Sequence, residues 1–163
     1  MKIVYIDAQN IHKGTKELWW TIDRELFFHY MHKKFNIDQI KIFLWYINSF
    51  DYFYQKLKEI WYQVIFKQTM LRKDGTIKWN VDIDLTMSVM DDLYIWWLSL
   101  AYVVSWDGDF NTLIQRLVKE ERLWRLIVPT IDKTSSQLRH ASWSNIQALS
   151  DLKHILSKKE TTN

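Results

Sequence analysis

The sequence predicts a single α/β domain, a three-layer sandwich in which helices cover both faces of a mostly parallel central sheet. Short β-branched and aromatic runs alternate with amphipathic segments of helical spacing along most of the 163 residues. The composition is 48% hydrophobic and 25% charged, as in ordinary globular domains. We therefore expect one domain over residues 1–157 and a frayed tail over residues 158–163.

The predicted elements follow one another as strand–helix units. The opening run KIVYID is typical of a buried strand. Leu26, Phe27, Tyr30 and Met31 stand at helical spacing, and Thr21 is a candidate cap for that helix. Strands are predicted over residues 39–46, 62–68, 101–105 and 125–129, with a weaker pattern at 146–149, and helices over residues 22–35, 51–60, 81–93 and 110–121. Right-handed crossovers between such units place ligand-binding loops at the carboxyl ends of the strands.

Composition excludes several classes of site. The chain has no cysteine, so it has no disulfide, thiolate zinc site or cysteine nucleophile. The apolar runs are too short to span a bilayer, and the first residues are strand-like rather than a signal peptide, which predicts a cytoplasmic protein without a membrane partner. A net charge of +3 is compatible with a polyanionic partner but does not identify one.

Aspartates stand where the predicted fold would gather them. Asp7 ends the first strand, and Asp107 and Asp109 follow a later one. Asp82 and Asp84 open a predicted helix, where the helix dipole favours negative charge. Because parallel strands present their carboxyl ends at one edge of the sheet, we expect these side chains to lie together. Clustered carboxylates repel one another unless a hard cation neutralises them, which predicts a Mg²⁺ or Mn²⁺ site.

Each aspartate also has a structural interpretation. An aspartate after a strand often forms a turn or caps a helix, and Asp109 is well placed to cap the helix that follows it. Convergence of carboxylates from three separate segments favours the metal site. Its expected ligands are Asp7, Asp82 and Asp107, with Asp109 in support. A cation held by carboxylates suits phosphodiester hydrolysis, because it binds a phosphate oxygen and lowers the pKa of a bound water.

Three motifs resemble the NYN branch of the PIN-like ribonucleases. They are IDAQNIHKG at residues 6–14, KWNVDIDLTMSVM at residues 78–90 and VVSWDGDFNTLI at residues 103–114. In that family D-x-x-N, V-D-[VI] and S-G-D-x-D-F contribute the acidic site. The resemblance implies a PIN-like, Rossmann-like fold, cleavage of RNA, and catalytic roles for Asp7, Asn10, Asp82, Asp107 and Asp109, with Asn10 orienting water or phosphate.

The motifs depart from the family at three positions. Trp106 replaces the glycine of S-G-D, Trp79 replaces the glycine expected before Asn80, and Ser88 stands where many relatives carry another aspartate. These departures leave two functions open. One is a metal-dependent endoribonuclease acting on single-stranded RNA; the alternative is an RNA-binding or regulatory module of the same fold that has lost turnover.

Tryptophan and glycine counts are both abnormal. The chain has 10 tryptophans and only 3 glycines, although glycine usually makes up roughly 7% of a protein. Trp45, Trp61 and Trp124 also stand at ends of predicted elements, where glycine is common. We hypothesise a source genome that reads UGA as glycine. The alternative is a naturally aromatic-rich surface, which would favour formation of a homo-oligomer.

Polar and basic residues near the predicted rim are candidate RNA contacts. The substrate-binding candidates are Lys67, Lys78, Ser105 and Arg139, and Arg72, Lys73 and His140 lie in similar places. Their ordinary interpretation is solvated surface. The sequence has no Walker motif, no G-x-G-x-x-G and no G-x-S-x-G, which leaves the acidic cluster as the main chemical signal.

Overall fold

A computed structural model of the chain describes residues 1–67, 81–95 and 98–158. Within them, six strands form one sheet in the order β3-β2-β1-β4-β5-β6, and every adjacent pair is parallel. The strands are β1 (Lys2–Asp7), β2 (Gln39–Trp45), β3 (Gln63–Lys67), β4 (Leu100–Val104), β5 (Leu123–Val128) and β6 (Ile146–Ala148). The predicted α/β fold with a parallel sheet is confirmed.

Helices cover both faces of this sheet. On one face lie α1 (Ala8–Glu17), α2 (Arg24–Phe35), α3 (Asp51–Glu59) and α7 (Lys153–Leu156), and on the other lie α4 (Asp82–Tyr94), α5 (Asn111–Lys119) and α6 (Ser136–Ser142). Two hydrophobic clusters fill the spaces between sheet and helices. Among the described residues, no helix has the length and apolarity needed to cross a membrane.

Burial on both faces explains the sequence of β1. Val4 and Ile6 point into the cluster under α1 and α2, whereas Ile3 and Tyr5 point into the cluster under α4. Successive side chains of a strand alternate between faces, so a strand covered on both sides needs an almost continuous apolar run. The run ends at Asp7, where the chain reaches the edge of the sheet.

The structure corrects two predictions around the first helices. Helix α1 was not predicted, because AQNIHKGTKE buries only one large apolar side chain, Ile11, beside the small residues Ala8, Gly14 and Thr15. Gly14 permits this packing, since a Cβ built there would lie 2.1 Å from Cγ of Pro129. Helix α2 begins at Arg24 rather than at residue 22, and its cap is Asp23, whose carboxylate accepts from two backbone N–H groups of the first turn, rather than Thr21.

Residues 156–158 pack beside the start of α2. Asp23 N–H donates to Leu156 O at 2.8 Å, and Lys158 N–H donates to Thr21 O at 3.0 Å. Residue 158 of the predicted tail is thus hydrogen-bonded, and residues 159–163 lie outside the described part.

Helix α6, which was also not predicted, begins after Ser135, whose hydroxyl accepts from Leu138 N–H.

Candidate metal centre

The sheet order places a crevice between β1 and β4. The chain leaves β1 toward β2 on one side, while β4 and β5 extend on the other, so the connections diverge above the carboxyl ends of these central strands. Such a switch point is where open parallel sheets bind ligands. Asp7 is the last residue of β1, and Asp107 follows β4 by three residues. Because Ile6 pairs with Val104, the carboxyl ends of β1 and β4 lie side by side at this edge of the sheet.

Three carboxylates converge at this crevice. Asp82, Asp107 and Asp109 each offer an oxygen, and these three atoms all lie within 4.8 Å of one another. Asp82 is the first residue of α4, and Asp107 and Asp109 flank Gly108 in the loop after β4. Residues distant in sequence are therefore brought within the reach of one cation.

Hydrogen bonds hold the Asp107 loop. The Asp107 carboxylate accepts from Asp109 N–H at 3.0 Å, and Asp107 N–H donates to the Ser105 hydroxyl at 3.2 Å. The sequence suggested that Asp109 could cap the next helix. Instead the Asp107 side chain caps a short 3₁₀ turn at Gly108–Phe110, and α5 then begins at Asn111 without a side-chain cap. Asp109 is exposed at the crevice.

Asp7 lies beside these three carboxylates in a different environment. It is 1% exposed, and its carboxylate accepts from the N–H groups of Gln9 and Asn10, both at 3.1 Å, and from the Asn10 side-chain amide. Asp7 therefore caps α1. It also lines a cavity of about 340 Å³ together with Asp82 and Asp107. The group of three convergent oxygens does not include Asp7, although the sequence predicted it as a principal ligand.

Mutual repulsion and burial act on the protonation of this cluster. Burial and the nearby charges of Asp107, Asp7 and Asp109 raise the pKa of Asp82 to about 6, while Lys67 opposes the rise. Burial also raises the pKa of Asp7 above its ordinary value, against the hydrogen bonds from Asn10 and Gln9. A set of oxygen ligands with excess negative charge fits Mg²⁺ or Mn²⁺ better than a softer metal.

The residues predicted to bind substrate have different surroundings in the structure. Lys67, at the end of β3, forms a salt bridge to Asp84 at 3.1 Å and lies close enough to influence Asp82. Ser105 is 1% exposed, so its hydroxyl supports the Asp107 backbone rather than facing solvent. Arg139 is exposed on α6 and does not line the cavity that contains Asp7. Lys78, together with Arg72, Lys73 and Trp79, lies outside the described residues.

Several residues missed by the sequence analysis line the crevice. Lys13 and Gln9 line the cavity that contains Asp7. A second cavity of about 500 Å³ shares Asn10 and Asp107 with the first and is also lined by Glu17, Trp106, Gly108, Lys133 and Ser135. Lys13 follows Asn10 by three positions, one turn of a helix, so recognising α1 would have placed it at the site.

Departures from the family pattern have distinct structural settings. Trp106 is partly buried, packs against the core below α4 and α5, and lines the second cavity but not the first. Its φ is not positive, nor are those of Trp45 and Trp124, whereas Trp61 has φ 75°. The Ser88 hydroxyl accepts from Lys41 at 3.2 Å, beneath α4, and Ser88 lines neither cavity.

Comparisons with known proteins identify the family and the fold. A family model described as the NYN domain matches residues 2–147, nearly the whole chain. The fold is similar to the crystal structure of a protein of unknown function from Vibrio parahaemolyticus, with a TM-score of 0.78 and 20% identity over 96% of this chain and 95% of that chain. At this identity the likeness concerns the fold alone. The curated proteins contain no match.

Proposed function

The chain belongs to the NYN domain family, and on this basis we propose that it is a divalent-metal-dependent endoribonuclease acting on single-stranded RNA. The family has a PIN-like nuclease fold and its domains bind RNA. The observation that carries the proposal is the convergence of Asp82, Asp107 and Asp109, whose ligand oxygens lie within 4.8 Å of one another at the switch point of the sheet.

The four carboxylates have different proposed roles in binding the cation. Asp82, Asp107 and Asp109 are the proposed direct ligands, since their oxygens converge. Asp7 is the proposed fourth acidic group, acting from the wall of the same cavity while it caps α1. A bound Mg²⁺ or Mn²⁺ would polarise the phosphodiester and lower the pKa of a water.

The remaining groups bind and orient the reactants. Asn10 lines both cavities next to Asp7 and Asp107, so it is placed to orient a water or a phosphate oxygen. Lys67 limits the negative charge around Asp82. Ser105 fixes the backbone from which Asp107 projects. Hydrolysis by water at such a site needs no covalent intermediate with the protein.

The test is cleavage of a 5′-labelled single-stranded RNA with Mn²⁺. The variants are Asp107→Asn, which removes a ligand charge, and Asp91→Asn, a matched control at an exposed position of α4. We expect products from the unmodified chain and from Asp91→Asn, and a loss of at least about 100-fold in Asp107→Asn. Equal cleavage by Asp107→Asn and Asp91→Asn would contradict the proposed site.

A further variant, Trp106→Gly, examines the departure in the S-W-D loop. Cleavage by Trp106→Gly but not by the unmodified chain would leave the site assignment intact and identify the indole as the obstacle. Metal-independent RNA binding without products from any variant would favour the alternative function, a binding module without turnover.

A further inference from the structure

The two cavities adjoin along one face of α1. Asn10, Lys13 and Glu17 stand at spacings of three and four residues, which places them on one side of the helix. Asn10 and Lys13 line the first cavity, and Asn10 and Glu17 line the second. At 1.5 Å per residue this face extends about 10 Å away from the acidic cluster. Such a path is longer than a cation site requires.

Each of the two cavities contains one lysine, Lys13 in the first and Lys133 in the second. Lys13 is exposed in the first cavity. Lys133 lines the second cavity and forms a salt bridge to Glu17 at 2.9 Å, with both side chains about half exposed (49% and 51%). An exposed salt bridge of this kind contributes little to the free energy of folding, so little free energy is needed to break it.

We propose that the face of α1 bearing Asn10, Lys13 and Glu17, together with Lys133, is the groove that holds the RNA backbone next to the cleaved phosphodiester. Lys13 contacts a phosphate in the first cavity. Lys133 leaves Glu17 and contacts a phosphate in the second. Contacts of this kind between lysine and phosphate fix the position of a nucleic-acid backbone without selecting its sequence. This groove rests on the proposed function for its substrate but is tested by binding alone.

The test is anisotropy of a labelled single-stranded oligoribonucleotide in EDTA over a series of salt concentrations. Lys13→Gln and Lys133→Gln should each raise the Kd about five-fold and lower the salt slope by about 0.7. Lys33→Gln, an exposed lysine on α2, is the control with the same charge change. Glu17→Gln should lower the Kd, because it releases Lys133 and removes a repelling charge.

The binding assay tests the groove independently of the cleavage assay, which tests the nuclease proposal. If both lysine variants bind RNA like Lys33→Gln, or if RNA does not bind at all, the groove is wrong even when Mn²⁺-dependent cleavage is found. If the lysine variants lose affinity as expected but no products ever form, the groove stands and the nuclease proposal fails.

A second inference rests on backbone conformation rather than on the site. Five non-glycine residues in the described part of the chain have positive φ, and three of them are tryptophans: Trp19 (59°), Trp61 (75°) and Trp143 (49°). Trp143 has ψ −123°, a combination open essentially to glycine alone. The other two residues are Asn36, a type that tolerates this region, and Glu121.

Hydrogen bonds identify the role of Trp19 and Trp61. Each is the second residue past its helix, α1 or α3, and each forms the paired bonds of a Schellman motif, in which glycine is usual. The bonds are Trp19 N–H to Lys16 O at 3.0 Å, Trp20 N–H to Thr15 O at 3.2 Å, Trp61 N–H to Lys58 O at 2.9 Å and Tyr62 N–H to Leu57 O at 3.0 Å. The fold thus requires the left-handed conformation at both positions.

The three indoles gain little from packing in return. Trp19 is 92% exposed, Trp61 83% and Trp143 75%, whereas Trp20 is 8% exposed within the core. Burial of these side chains therefore does little to offset the strain of the backbone. We infer that the native protein has glycine at residues 19, 61 and 143, through a genetic code that reads UGA as glycine.

Mass spectrometry of the protein from its native organism tests this directly. Peptides covering the three positions should have the masses of glycine-containing sequences; tryptophan at these positions would overturn the inference. As a second measurement, Trp19→Gly, Trp61→Gly and Trp143→Gly should each raise the melting temperature by about 3 °C. Trp124→Gly, in β5 at a position without positive φ, is the control and should not raise it. Melting temperatures that fall in all four variants would also contradict the inference.

Discussion

The two ends of α4 each carry an aspartate, and the protein surrounds them differently. Asp92, in the last turn, is 5% exposed, forms a salt bridge to Lys41 at 2.6 Å and accepts from the Tyr5 hydroxyl at 2.7 Å. Asp82, the first residue, lies among Asp7, Asp107 and Asp109. A buried charge is tolerated when it is paired and hydrogen-bonded. Asp92 meets this condition within the fold, whereas the cluster around Asp82 carries an excess of negative charge.

This contrast separates a structural carboxylate from a functional one. Lys41 lies opposite Tyr5 in the register of β1 and β2, so both partners of Asp92 come from the rigid centre of the sheet. Burial and hydrogen bonding to Asp92 raise the pKa of Tyr5 and keep its hydroxyl protonated as a donor. The same helix that is fixed by Asp92 presents Asp82 at the crevice. We expect the two aspartates to respond oppositely to mutation.

The largest expected effect is on cleavage by Asp82→Asn. Loss of a ligand charge should lower the cleavage rate at least about 100-fold, since the metal stabilises the developing phosphate charge. The melting temperature without metal should stay equal or rise, because a repelled carboxylate has been removed. Cleavage assays and thermal melting on the same preparation measure both. A large fall in melting temperature would mean that Asp82 stabilises the fold.

Lys41→Met should act on stability instead. It leaves the Asp92 charge buried without its cation, at a cost of about 3–5 kcal/mol in the free energy of unfolding. Urea unfolding measures this loss, and the cleavage rate per folded molecule should be unchanged. The double variant Lys41→Met, Asp92→Leu should recover much of the loss, since no unpaired charge remains. Failure of the double variant to recover stability would show that the pair contributes more than mutual neutralisation.

Mn²⁺ should stabilise the folded chain by binding to the carboxylates of the crevice. At a Mn²⁺ concentration of 100 times its Kd, binding adds about 2.7 kcal/mol to the free energy of unfolding. This gain corresponds to a rise of roughly 7 °C in the melting temperature. Differential scanning fluorimetry should show this rise in the unmodified chain and in Asp91→Asn, and little of it in Asp82→Asn. An equal rise in Asp82→Asn would place the cation elsewhere.

The smallest expected effect is a pH dependence of the metal-free chain. The pKa of Asp82 is about 6 when folded and near 4 when unfolded, so between these values the folded state binds more protons. Stability from this group therefore falls as pH rises from about 4 to 6, by about 1 kcal/mol after discounting for solvent screening. Comparison of melting curves with those of Asp82→Asn isolates this contribution. A difference that does not vary with pH would contradict the raised pKa.

Sequence patterns predicted the strands better than the helices around the site. The strands are nearly continuous apolar runs, because both faces of the sheet are covered. Helix α1 was missed since it buries one large apolar side chain, Ile11, and otherwise contacts the core through the small residues Ala8, Gly14 and Thr15. Missing α1 also hid Lys13 and Glu17, although Asn10 was identified from its motif.

By itself the sequence determined the parallel α/β fold, the rim that carries the aspartates and the abnormal tryptophan content. Periodicity and residue type are local properties, and they survive without knowledge of the partners. Only the tertiary structure decided that Asp7 caps α1 while Asp82, Asp107 and Asp109 converge, and that Trp61 is strained while Trp106 is not. Distances between side chains and the φ of a helix end depend on how the elements pack, because contacts between distant segments position each group.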